Sequence, residues 1–200
     1  VKKLIIGAAL LALFILGCGE EGTRIEGQEP VEPTSPAAVL TNVTVAFNQG
    51  NLDILEGVVG PSFVFYFDPD DVGQNPPGGN SYVIPEFWNR TEFLAAACNM
   101  LELAYSIDLA IPTGGISQPE PGAETYRAEN VTMSLLVMVS ELNGYIANQG
   151  YCDFELEKYT NQAGQARWRL TGWWDNTRTN FDAGADPASL GRVLAMYYKM

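Results

Sequence analysis

The sequence predicts an α+β domain: a curved antiparallel sheet wrapped around N-terminal helices, with a further helix added at the C-terminus. Three observations predict it. Two helical segments, an aromatic strand and a third helix come first, within residues 36–104. Long β-patterned segments joined by tight turns then follow one another to residue 175, the order of an antiparallel run. Last, Leu190, Val193, Leu194, Tyr197 and Tyr198 recur at helical spacing and make an apolar face that must dock on something.

Each element has a local cause. Ser35-Pro36 opens the first helix as N-cap and first helical residue. Val39, Leu40, Val43, Ala46 and Phe47 form its apolar face, and Gly50 ends it. Leu52, Ile54, Leu55 and Val58 make a short second helix, closed by Gly60-Pro61. Residues 63–67, FVFYF, are a strand by aromatic and β-branched content. Phe63, Phe65 and Phe67 lie on one face and Val64, Tyr66 and Asp68 on the other; which face is inner cannot be read from a strand aromatic on both sides. Asn89 and Glu92 have the spacing of a capping box and open a helix to about Ala104. Tyr105 to Ile111 alternates as a strand. A long strand from about Tyr126 to Leu142 meets Asn143-Gly144, a strong hairpin signal. The return strand runs from Tyr145 to Tyr159, with Gly150 expected as a bulge. The last strand, Arg167 to Asp175, has Trp168, Leu170 and Trp174 on one face and Arg169, Thr171, Trp173 and Asp175 on the other. A terminal helix is expected over residues 187–199.

Composition excludes several functions. Histidine is absent, which removes Ser-His-Asp and Cys-His nucleophile systems and histidine metal sites. The net charge of -13 argues against nucleic acid, whose phosphates need a basic stripe. Apolar residues at 46% against 18% charged describe a folded protein rather than a disordered one. No spacing of cysteines or acids specifies a metal or cofactor. The carboxylates of Asp68, Asp70 and Asp71 do not match an EF-hand loop and read as a solvated turn.

The N-terminus reads as an address. Lys2 and Lys3 precede an uncharged apolar run from Leu4 to Gly17. It is shorter than the roughly 20 residues a bilayer-spanning helix needs, and suits a signal peptide over residues 1–17. The run ends Ile15-Leu16-Gly17-Cys18, which resembles the bacterial lipoprotein signal, in which Cys18 becomes the lipidated first residue. That resemblance implies a membrane anchor through acyl chains such as palmitate, and a place in the bacterial cell envelope. Gly19 after the cysteine points to the outer membrane, facing the periplasm or the outside. Residues 18–36 then read as an acidic, proline-containing tether, and residues 37–200 as the folded domain.

The folded part also carries a resemblance. The stretch VLTNVTVAFNQGNLDILEGVV, then FVFYFDPDD, a capped helix, and strands ending WRLTGWWDN resemble the NTF2-like (SnoaL-like) cone fold over about residues 36–176. Catalytic members of that superfamily use an Asp-His pair, which this chain lacks, or an Asp base with Tyr and a second acid. The resemblance further implies that two copies can pair through the sheet.

Candidate site residues follow from residue type. Tyr66, Asp68, Trp88, Tyr105 and Trp173 could together wall an aromatic pocket for a small apolar or cyclic ligand. Cys98 and Cys152 remain once Cys18 is lipidated, and either bridge or stay as two buried thiols. The expected function is a tethered module that binds a small apolar ligand or a protein partner without catalysis. The alternatives are a structural protein that dimerises through its sheet, and an isomerase or dehydratase type of enzyme. The last needs Asp68 or Asp108 facing a closed aromatic cavity beside a tyrosine hydroxyl.

Overall fold

The computed structural model describes residues 28–79, 81–147, 149–178 and 186–198. Residues 1–17, expected to be a signal segment, and Cys18 lie outside the described residues. Among the described residues, four helices and nine strands form the α+β architecture predicted from the sequence. Helix α1 (Pro36–Gln49) is capped as expected. Ser35 Oγ accepts from the Ala38 amide, and Gly50 ends the helix in the left-handed region at φ 62. Helix α2 (Leu52–Val58) runs straight into strand β1 (Val59–Tyr66), so Gly60-Pro61 lies inside the strand rather than closing a helix. The three-residue strand β2 (Phe87–Asn89) leads into α3 (Arg90–Leu103). Both halves of its capping box are formed: Glu92 N donates to Asn89 Oδ1, and Asn89 N to Glu92 Oε2.

The remaining strands are β3 (Ser106–Ala110), β4 (Thr125–Thr132), β5 (Ser134–Met138), β6 (Gly144–Ala147), β7 (Gln149–Thr160), β8 (Ala166–Arg178) and β9 (Asp186–Pro187). They pair in the orders β2-β1-β8-β7-β4 and β3-β5-β6-β9. The long strand expected from Tyr126 to Leu142 is β4 and β5, broken at Met133. The return strand corresponds to β6 and β7. The two groups are thus halves of one sharply curved sheet. The sheet is mixed rather than wholly antiparallel, because β1 pairs β8 in parallel and β6 pairs β9 in parallel. The helix predicted over 187–199 is α4 (Leu190–Tyr197), with Ser189 as N-cap.

One irregularity decides which side chains face inward. Gly150 takes φ 107 but keeps its partner, Thr177. The ladder slips elsewhere: Leu156 pairs with Leu170 and Glu155 with Gly172, so Thr171 is the extra residue. A bulge reverses the alternation beyond it. Trp168, Leu170, Trp173, Asp175 and Thr177 are therefore all buried, and Trp174 is turned to the opposite, half-exposed face. This corrects the faces read from strict alternation. The Trp174 ring covers Gly172, where an added Cβ would come within 2.6 Å of it.

The core fills the concave side. Phe63 and Phe65 on the inner face of β1, and Phe67 just past its end, meet Trp88, Phe93 and Trp173 in ring contacts. Residues 28–35, which composition reads as tether, are held against this body. The buried Asn42 side chain accepts from Val31 N at 2.8 Å and donates to Val31 O at 2.7 Å. Trp168 N donates to Pro33 O, and Arg167 pairs with Glu32 at 2.6 Å.

Candidate functional site

The residues proposed as one pocket are not brought together. Trp88 and Trp173 are both fully buried among phenylalanines, because large apolar rings on inner faces are taken up by the core. Trp88 donates its indole N–H to Tyr82 Oη at 2.8 Å. Tyr105 is 46% exposed, outside any enclosure. Asp68 closes a turn, accepting from Asp70 N at 2.8 Å, and Asp108 is exposed. Neither carboxylate faces a closed aromatic cavity. The bridge between Cys98 and Cys152 is not formed. Cys152 is a free, buried thiol on the inner face of β7, 3.8 Å from Met133 Sδ, and burial holds its pKa well above the ordinary value. Cys98 is half-buried on α3.

Tyr66 is the one proposed residue that reaches an open site. It stands on the outer face of the sheet, stacked on Trp174 with ring centroids 4.7 Å apart and planes 6° apart. The row continues on both sides. Phe87 of β2 lies 6.2 Å from Tyr66, and the Arg127 guanidinium of β4 sits 4.4 Å from the Trp174 centroid. Arg127 is fixed in turn by Asp153 at 3.1 Å and Glu129 at 3.4 Å. The pairing Phe87–Tyr66–Trp174 follows the strand register, so the sheet itself aligns the rings.

Both depressions beside this row use the stacked pair as a wall. One, of about 500 Å³, is completed by Phe67, Pro69, Val72, Glu86 and Asn176, with the Asp175 position at its floor. Its walls are mainly apolar, with Glu86 and Asn176 able to orient a ligand. The other, of about 350 Å³, includes Val64, Ser62, Thr125, Glu155 and Glu157 and is more polar. Trp174 escaped notice in the sequence because strict alternation placed it with Trp168 and Leu170.

A second cluster, which sequence reasoning missed, lies on the inner side at the N-terminus of α4. The Asp175 carboxylate accepts from Gly191 N at 2.6 Å, and from the Thr177 amide at 3.0 Å and its hydroxyl. Thr177 Oγ1 accepts from Leu190 N at 2.9 Å. Ser189 caps Arg192 N at 3.1 Å and donates its hydroxyl to Asp71, whose other oxygen lies 3.7 Å from Arg192 Nε. Side chains thus meet the first amides of the helix, where the backbone itself has no partners to offer. Burial pushes Asp175 up to about 7, against hydrogen bonds from Thr177 and Gly191 that favour the charged form. Asp71 is raised by burial too, with Ser189 and Arg192 opposing. These carboxylates are occupied by the helix and its caps. Among the described residues, no group of three or more acids or cysteines is placed to hold a metal ion.

Neither a family model nor a curated protein matches the chain. Solved structures with a similar fold include the AusH protein of Aspergillus nidulans, at 14% identity and a TM-score of 0.41 over 74% of this chain and 86% of that one. They also include an NTF2-like protein of unknown function in nutrient uptake from Rhodospirillum rubrum ATCC 11170. Its identity is 14% and its TM-score 0.42, over 70% of this chain and 96% of that one. At these values the likeness concerns fold alone and carries nothing about chemistry.

Proposed function

We propose that this chain is a non-catalytic binding module of the bacterial cell envelope, with an NTF2-like domain tethered to the outer membrane through a lipid on Cys18. Its ligand is a small apolar molecule held in the outer depression beside Tyr66 and Trp174. One observation carries the reading. The core consumes Trp88 and Trp173, while Tyr66 and Trp174 stand half-exposed beside an apolar depression of about 500 Å³, a size that suits a small molecule. Against catalysis stand the lack of histidine, the outward placement of Asp68 and Asp108, and the engagement of Asp71 and Asp175 in capping.

The test is titration of a chain beginning at residue 28 with the neutral fluorophore N-phenyl-1-naphthylamine. Saturable one-to-one binding that weakens at least about tenfold in Trp174→Ala supports the reading. Binding unchanged by Trp174→Ala, or no saturable binding, overturns it. The tether has its own test: Cys18→Ser moves the full chain from the membrane fraction to the soluble one. The exposed edge of Phe87, 52% accessible in the same aromatic row, favours a second reading, in which two copies pair through this face. Sedimentation over a range of concentrations separates the two, since a pair dissociates on dilution and a monomer does not.

A further inference from the structure

Exposed apolar side chains scattered singly need no explanation; four gathered at one end do. Leu103, at the C-terminal end of α3, is 56% exposed, and Leu142, in the turn between β5 and β6, is 84% exposed. Tyr105 and Val139, exposed too, join them. The backbone holds the four together. Tyr105 N donates to Met138 O at 2.8 Å, and Val139 N to Asn143 O at 2.9 Å across the turn. Glu102 and Glu141 flank this patch, and no lysine or arginine occurs in residues 98–110 or 134–150.

The N-terminal segment leaves the domain at this same end. Residues 28–35 run back along α1, and Gln28 O accepts from Gln49 Nε2 at the last turn of that helix. The next residue, Gly50, lies against α3: an added Cβ there would stand 3.7 Å from Leu101 O, two residues before Leu103. The bonds of Val31 to Asn42 and of Pro33 to Trp168 keep this path in place. From Gln28 back to Cys18 is ten residues, at most about 35 Å at full extension.

We propose that Leu103, Tyr105, Val139 and Leu142 form the face on which the domain rests on a neutral lipid surface, beside the point where its N-terminal segment leaves. The inference rests on the lipid anchor proposed at Cys18. A lipid there holds Gln28 within that reach of the bilayer, so the end that carries the patch is the end nearest the lipid. Chemistry selects the occupant. Leucine and valine enter the acyl boundary favourably, and tyrosine favours the headgroup level. With Glu102 and Glu141 beside it, no cation of its own and a net charge of -13 on the chain, the patch fits zwitterionic headgroups and is repelled by anionic ones. None of the four residues lines either depression beside Tyr66 and Trp174.

Contact photocrosslinking of the full, lipid-anchored chain in phosphatidylcholine vesicles reads this directly. The photoreactive residue p-benzoylphenylalanine replaces Leu142, Leu103 or, for comparison, Val72, an exposed apolar residue of the loop after β1. Light should join phosphatidylcholine to positions 142 and 103 and not to 72. Tyr105→Glu together with Val139→Glu should cut the yield at 142 about fivefold or more. Position 142, the more exposed, decides alone should the change at 103 disturb α3. A lack of lipid adduct at 142, an equal adduct at 72, or a crosslink from 142 to a second copy overturns the proposal while the anchor stands. A chain that washes off the vesicles as readily as its Cys18→Ser variant overturns the anchor, and this face with it.

Discussion

Trp173 and Asp175 are two residues apart on β8, point the same way and are equally hidden from water, at 0% and 1% exposure. Around Trp173 stand Phe65, Phe93 and Phe154, with ring centroids 5.0 to 5.9 Å away. Around Asp175 stand amides and hydroxyls. Burial stabilises the first region outright, because apolar area leaves water. In the second, burial itself costs free energy, offset by hydrogen bonds and by the helix they anchor. The same degree of enclosure therefore yields an unconditional core at one position and a condition-dependent joint two residues along.

Mutation and pH separate the two. Trp173→Ala removes a fully buried inner ring of the sheet and should destabilise by about 3–5 kcal/mol, equally at acid and neutral pH, in chemical denaturation. An effect that varied with pH would blur the distinction between the regions. Asp175 should make stability itself pH-dependent. Its folded value is raised above the unfolded one, so its contribution is fully present below about pH 4 and is lost as pH rises through about 7. The full swing is about 4 kcal/mol, and the melting temperature should fall by about 5 °C from pH 5.5 to pH 8. Asp175→Asn should flatten that dependence; a wild-type profile already flat would remove the contrast. Ser189→Ala takes away one cap of α4 and should cost about 1 kcal/mol in thermal unfolding, several times less than Trp173→Ala. Trp174→Ala, on the outer face, should cost less than about 1 kcal/mol while weakening N-phenyl-1-naphthylamine binding. A loss as large as that of Trp173 would place Trp174 in the core's account.

Local chemistry was the readable part. The Ser35 and Gly50 ends of α1 and the Asn89–Glu92 box each depend on a few neighbouring residues, and each is formed as the sequence indicates. The hairpin expected at Asn143-Gly144 turns instead over residues 139–143, with Gly144, already in β6, paired to Met138. The α+β order was legible for the same reason. Facing was not. An extra residue at Thr171 turns Trp173 and Asp175 inward and Trp174 outward, and nothing in the string WRLTGWWDN marks where the ladder slips. The pocket residues were chosen by type, yet Trp88 and Trp173 serve packing and Tyr105 faces away from it. The Asp71–Ser189 contact joins positions 118 apart in the chain, a separation no local pattern encodes. Gly-Trp-Trp did hold one clue: a glycine beside tryptophan in a strand often marks a ring lying over bare backbone.

The Asn42 clamp on Val31 has a mechanical consequence. A pull on the chain ahead of residue 28 does not act on a loose hinge at Pro36. It reaches Asn42 through both backbone groups of Val31, and β8 through the Pro33 carbonyl and the Glu32–Arg167 pair. Strand β8 lies in the middle of its sheet, between β1 and β7. Tension is thus delivered to the centre of the body rather than to an edge that could peel, and residues 28–35 work as a rigid handle on it.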